Sequence, residues 1–152
     1  MEAQNGHRRW EKNFGGYEND GGIALDSFSN GDIVIAGWTD SKGSGKADGW
    51  LLRLNHQNGQ IILEKTLGSS EADVIRAVKV TGDDNIIIAG TTQSPYYHWN
   101  AWVLKLDNRG RTLWEKTFGG NHLQATSNKE LIMAGYGESS GKKQTWVLKF
   151  GE

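Results

Sequence analysis

The chain has 152 residues, 36% of them hydrophobic, with 21 glycines, one proline, no cysteine and a net charge of -1. That composition gives one compact domain with a modest core and excludes a disulfide framework or a thiolate site; it offers no charge to draw nucleic acid or an anionic membrane. Apolar runs such as Ile33–Ala36 and Ile86–Ala89 are too short to cross a bilayer, and the first ten residues, MEAQNGHRRW, carry no apolar signal core, so the expectation is a cytoplasmic chain or a mature or excised piece of a secreted one.

In chain order, the first predicted element is a strand at Arg9–Phe14. Further strands follow at Ala24–Phe28, Ile33–Gly37, Trp50–Asn55 and Ile61–Leu67. Alternation marks them as strands rather than helices: Trp50, Leu52 and Leu54 point to one side, Leu51 and Arg53 to the other. The IVIAG run at Ile33 does not alternate, as expected of a strand covered on both faces. Turn signals separate the strands: SNGD, GDDN and SNKE before the apolar strand, NHQNG and DNRG after the tryptophan strand.

The same series then recurs. WEKNFGG at Trp10 returns as LEKTLGS at Leu63 and WEKTFGG at Trp114, at spacings of 53 and 51; IVIAG at Ile33 returns as IIIAG at Ile86 and LIMAG at Leu131; GWLLRLN at Gly49 returns as AWVLKLD at Ala101 and TWVLKF at Thr145. A period near 50 residues with four short strands per unit is the signature of β-propeller blades. The expected fold is therefore all-β, a β-propeller in which residues 1–152 form a single domain of three four-stranded blades, at about 9–60, 61–111 and 112–152. The strand at Arg9–Phe14 is of the outer type and Trp146–Phe150 is of the third type, so the first strand can complete the last blade and leave no bare edge. Propellers use four to eight blades, and three would each turn through too wide an angle. A homodimer forming a six-bladed ring is expected, its closing strand coming from the same chain or the partner.

A WxKxFGG strand, a loop aspartate, a VAG strand and a DxWLLKLDxxG strand together span residues 9 to 150. This pattern resembles a tryptophan- and glycine-rich propeller repeat of bacterial and archaeal proteins, many of them secreted or attached to the surface. The resemblance implies the fold and a secreted or surface origin. It implies no catalytic residue, because one fold hosts many activities.

The third unit departs from the other two. Phe14 to Ala36 and Leu67 to Ala89 are each 22 positions, whereas Phe118 to Ala134 is 16. The missing residues fall in the loop before the inner strand and at that strand's start, so Asp20 and Asp73 have no third counterpart, as when a surface loop is trimmed.

Trp50, Trp102 and Trp146 share one position and read as inter-sheet packing. Glu11, Glu64 and Glu115 alternate with Lys12, Lys65 and Lys116, a solvated outer edge whose lysine stems pack while their heads reach the rim. Asp20 and Asp73 read as loop caps rather than as half of an acid–base pair. His7, His56, His98 and His122 lie at no metal-ligand spacing, and neither a phosphate-cradling loop nor a nucleophile elbow occurs; no metal and no cofactor is expected, and no catalytic residue is identified. Alternation sends Asp26, Lys79 and Gln124 to one side of the inner strands, a channel lining able to hold a small polar ligand.

The loops after the outer strands and after the IVIAG-type strands are expected at one end of the ring, where function normally sits. Trp38, Thr91 and Tyr136 follow strand glycines there, and the middle unit's TTQSPYYHWN replaces the polar TDSKGSGKAD and GESSGKKQ. Trp38, Tyr96, Tyr97, His98, Trp99 and Tyr136 are thus the candidate ligand-binding residues, with Tyr96, Tyr97 and Trp99 as an exposed aromatic rim; the same aromatics also suit packing within the blade or at a seam between chains. These features favour a non-enzymatic, lectin-like module, since sugar C–H faces stack on aromatic rings and repetition adds avidity. The alternatives are a structural or protein-interaction scaffold, and a hydrolase or lyase at the channel mouth using His98, His122 or the loop acids.

Overall fold

The computed structural model describes residues 6–43, 46–96, 98–119, 121–126, 131–139 and 142–150, and among these every regular element is a β-strand. Strands β1 (Asp20–Ser27), β2 (Ile33–Thr39), β3 (Asp48–Leu54) and β4 (Ile61–Leu67) form a four-stranded antiparallel sheet in chain order. β5 (Asp73–Val80), β6 (Ile86–Gln93), β7 (Trp99–Leu106) and β8 (Thr112–Gly119) form a second, and β9 (Asn121–Thr126), β10 (Leu131–Ser139) and β11 (Lys142–Phe150) a third of three strands. Tight turns link the strands. Gly59 and Gly110 adopt φ of 69° and 82° at equivalent places in the β3–β4 and β7–β8 connections, a conformation that costs glycine little.

The three sheets stack face to face. Val34, Ala36, Leu51 and Leu67 of the first sheet meet Ile75, Val78, Ile86, Ile88, Trp102, Leu104 and Leu106 of the second, with Phe28 beside them, in the main core. Each fully buried Leu or Ile there contributes about 1.5–3 kcal/mol. On the second sheet's other face Ile87, Ala89, Ala101 and Val103 cluster with Ala77, Trp114 and Phe118, on the side where β9 packs against β5, β6 and β7. The expected alternation holds: Leu51 faces the second sheet, while Trp50, Leu52 and Leu54 point the opposite way. β6 is buried from Ile86 to Thr91 because its sheet lies between two others, whereas Ile33 and Ile35 of β2 remain half-exposed.

Residues 9–14 differ from expectation. They form no strand and do not complete the third sheet within this chain. Instead Trp10 and Phe14 cover Trp50, Leu52 and Leu54, and the Trp10 indole N–H donates to the His56 carbonyl at 3.0 Å. An extended segment becomes a strand only when a neighbour satisfies its N–H and C=O groups. The inner strands also begin earlier than the sequence suggested, at Asp20 and Asp73, where each aspartate lies opposite a threonine of the next strand.

Candidate functional site

The loops after residues 10–14 and after β4 meet the loops after β2 and β6 at one end of the stack. Asp40 N–H donates to the Asn19 carbonyl at 2.9 Å, and Gln93 N–H to the Ala72 carbonyl at 2.8 Å. Asp20 organises the first of these loop pairs. It accepts hydrogen bonds from the Thr39 hydroxyl, from Ser41 Oγ at 2.7 Å and from Gly16 N–H at 2.8 Å. The Thr39 bond, reinforced by the others against the opposing effect of burial, holds its carboxyl down to about 2. Asp73 does the same in the second pair, accepting from the Thr92 hydroxyl and from Ser69 N–H at 2.6 Å, but its complete burial outweighs these bonds and pushes its pKa up. Gly68, at φ 137°, must be glycine because a Cβ would collide with the Asp73 carboxylate. Both carboxylates are engaged in capping.

The hairpin joining β6 to β7 carries the aromatic residues. It is closed by Ser94 N–H donating to the His98 carbonyl at 2.8 Å and by His98 N–H donating to Ser94 Oγ at 3.3 Å. Tyr96 is 82% exposed at its tip, His98 is exposed, and Trp99 is half-buried as the first residue of β7. Tyr97 lies outside the described residues. Trp38, half-buried on the first sheet, lays its indole over Gly21, where a Cβ would stand 2.8 Å from Nε1. Its counterpart Thr91 is buried, and Tyr136 sits opposite Asn121 and Thr145 with its side chain outside the described set. Thus Tyr96, His98 and Trp99 share one hairpin, while Trp38 belongs to another sheet. Sequence reasoning missed Tyr17, a fully exposed aromatic at the same end. Its signal was present: GGYEND against the aromatic-free GSSEAD of the second unit.

The expected channel residues are placed differently from one another. Asp26 accepts the Val80 N–H at 2.8 Å, so its carboxylate clamps the first sheet to the second. Lys79 is half-buried opposite Ile87. Gln124 pairs with Ala134, whereas Ile132, the equivalent of Ile87, pairs with Thr126, so the inner strand of the third unit is displaced by two residues. The Gln124 side chain lies outside the described set.

Two constellations escaped the sequence. Trp50 and Trp102 each donate their indole N–H to the glutamate of the neighbouring outer strand, Glu64 at 2.9 Å and Glu115 at 2.5 Å. These glutamates are acceptors for buried indoles rather than a merely solvated edge; the Glu64 pKa is lowered first by its bond from Lys42 and then by that from Trp50, against the effect of burial. At the opposite end of the stack Arg53 stacks 4.1 Å from the Phe28 ring centre, donates to Asp32 at 2.9 Å and to the Asn108 carbonyl at 3.0 Å, and borders an open cleft of about 510 Å³ with Ile62, Leu63 and Arg109. Burial would raise the Asp32 pKa, but bonds from Arg53, Asn30 and His56 outweigh it and bring it to about 2. Among the described residues no three histidine or acidic side chains are grouped to hold a metal. No protein-family model matches the chain, and no curated protein matches it significantly.

Proposed function

We propose that the chain is half of a six-bladed β-propeller closed as a homodimer, and that the ring is a non-enzymatic binding module whose loop end takes carbohydrate. Three stacked meanders, the second presenting its Trp102 face to the first while Trp10 and Phe14 cover the Trp50 face of the first, support the propeller reading. Three sheets per chain allow only six within the usual four to eight. The observation that carries the binding reading is the β6–β7 hairpin: Tyr96 stands in solvent beside His98 and the half-buried Trp99, where the first unit has glycine, serine and lysine. Such a surface is flat and apolar with polar tips, and it suits the C–H face of a pyranose. The capping roles of Asp20 and Asp73 favour binding over hydrolysis, since neither carboxylate is poised for proton transfer.

A glycan array followed by titration calorimetry tests this reading. Tyr96→Ala and Trp99→Ala are expected to weaken the best sugar about tenfold, the equivalent of ~1.4 kcal/mol, with the dimer intact. Dissociation of the dimer by these substitutions assigns the aromatics to an interface, and no binding at millimolar sugar leaves the ring a protein scaffold.

A further inference from the structure

The two ends of the sheet stack fit one another. Residues 10–14 have the sequence pattern of an outer strand but belong to no sheet among the described residues. Trp10 and Lys12 press on the turn glycine Gly59 as Leu63 and Lys65 press on Gly110. Trp10 and Phe14 cover the Trp50 face of the first sheet, and Leu67, the counterpart of Phe14, packs in the same way into the core against the second. At the other end, among the described residues, β11 pairs only with β10, and the third sheet has no counterpart of the strand that β4 and β8 supply to the other two. An open edge of this kind accepts an added strand.

The outward faces match as well. Leu25 on the first sheet is 70% exposed, while its counterpart Val78 is 3% exposed beneath the first sheet. Val147 on β11 is 63% exposed, while its counterparts Leu51 and Val103 are fully buried against the following sheet. These are the same two kinds of face that already pack together inside the chain.

We infer that residues 10–14 of a second copy of this chain add to β11 as the fourth strand of its third sheet, with that copy's first sheet packed on the third sheet's open face. This rests on the two-chain ring proposed above and states how the ring closes. Register follows from the internal pairs. Leu51 opposite Lys65 and Val103 opposite Lys116 put Val147 opposite Lys12; Gly49 opposite Leu67 and Ala101 opposite Phe118 put Thr145 opposite Phe14. Glu11, now in an exposed ion pair with Arg8, then takes the role of Glu64 and Glu115 toward Trp146, which holds the strand position of Trp50 and Trp102. The donor is a different chain because packed sheets stand about 10 Å apart. Residues 10–14 lie on the far side of the first sheet, with the second sheet between it and the third. Each copy offers one donor and one acceptor, so two copies close with two identical seams.

The chain's lack of cysteine allows a direct test. Residues opposed across an antiparallel ladder have Cα atoms about 4.5–5.5 Å apart, within disulfide reach. Chains carrying Lys12→Cys and chains carrying Val147→Cys, refolded together and mildly oxidised, are expected to give a covalent dimer containing one of each. Lys12→Cys with Thr145→Cys, two residues out of register, is expected to stay unlinked. In the double variant Lys12→Cys/Val147→Cys, a disulfide within one chain, seen as a fast-migrating monomer on a non-reducing gel, overturns the inference. Sedimentation of the unmodified chain separates this from the ring itself: a dimer whose cysteine variants do not link overturns strand addition alone, and a monomer at micromolar concentration overturns both.

Discussion

Asp32 shows how a charge becomes structural at the scale of one residue. It lies before β2, nearly buried, and gathers the Arg53 guanidinium at 2.9 Å and the side chains of Asn30 and His56. Its folded pKa of about 2 is below the ordinary 3.8, so its contribution is complete above about pH 4 and is lost as pH falls toward 2. Asp73 acts in the opposite sense, since a raised pKa means that protonation favours the fold. Asp32→Asn is expected to cost about 1.5–3 kcal/mol at pH 7, because Arg53 loses its charged acceptor. The difference from the parent chain should shrink between pH 4 and pH 2, where the parent's own Asp32 becomes neutral. Urea unfolding at several pH values checks this, and a difference that stays constant with pH removes the ion pair from the account. None of this was legible in the sequence. Asp32, just before β2, and Arg53, on β3, stand 21 positions apart, and only the β2–β3 register brings them to one end. The packing of Trp50 and Trp102 was legible from alternation, but their glutamate partners needed the pairing of β3 with β4 and of β7 with β8.

At the scale of elements, the repeated glycine of the VAG strand has a single cause. A Cβ on Gly37 would overlap the Gly21 carbonyl, and one on Gly90 the Val74 carbonyl, because the inner strand bulges toward the second at Gly22/Ala24 and Ile75/Ala77. Gly90→Ala is therefore expected to cost about 1–3 kcal/mol as the backbone is forced apart. Gly82→Ala, where no atom lies within 4 Å of the added methyl, is expected to change stability by less than about 0.5 kcal/mol. Denaturant unfolding of the two variants side by side tests the contrast; equal losses would show that close approach is not what requires glycine at Gly90. The glycine was visible in the sequence as a repeat marker, and eleven of the twelve expected strands are present. One of them, β9, is displaced: Ala134 pairs with Gln124 where Ala89 pairs with Ala77, a register two residues away from the sequence alignment of the units. The expected strand at 9–14 is the instructive miss: its pattern is that of β4 and β8, but pattern does not supply the neighbour that makes a strand.

At the scale of the whole molecule, a stack of three sheets buries four sheet faces and leaves two, and the exposed Leu25 and Val147 lie on those two. Apolar surface of this kind on a chain of 152 residues gives association a driving force of the same origin as the core. Folding and ring closure should then be coupled, since only the folded chain presents both faces, and mass action makes the stability of such an assembly depend on concentration. Each tenfold rise in protein concentration adds about 1.4 kcal/mol per dimer, which for a ring of this size is expected to raise Tm by about 2–3 °C. Val147→Lys places a charge in the proposed seam while leaving the first two sheets untouched. It is expected to lower Tm and to abolish the concentration dependence, with the strand signal in circular dichroism retained. Scanning calorimetry from about 5 to 500 µM distinguishes the cases, since an isolated chain melts at one temperature throughout. A Tm that does not move over that range would mean that Leu25 and Val147 stay in solvent and that the three sheets stand alone.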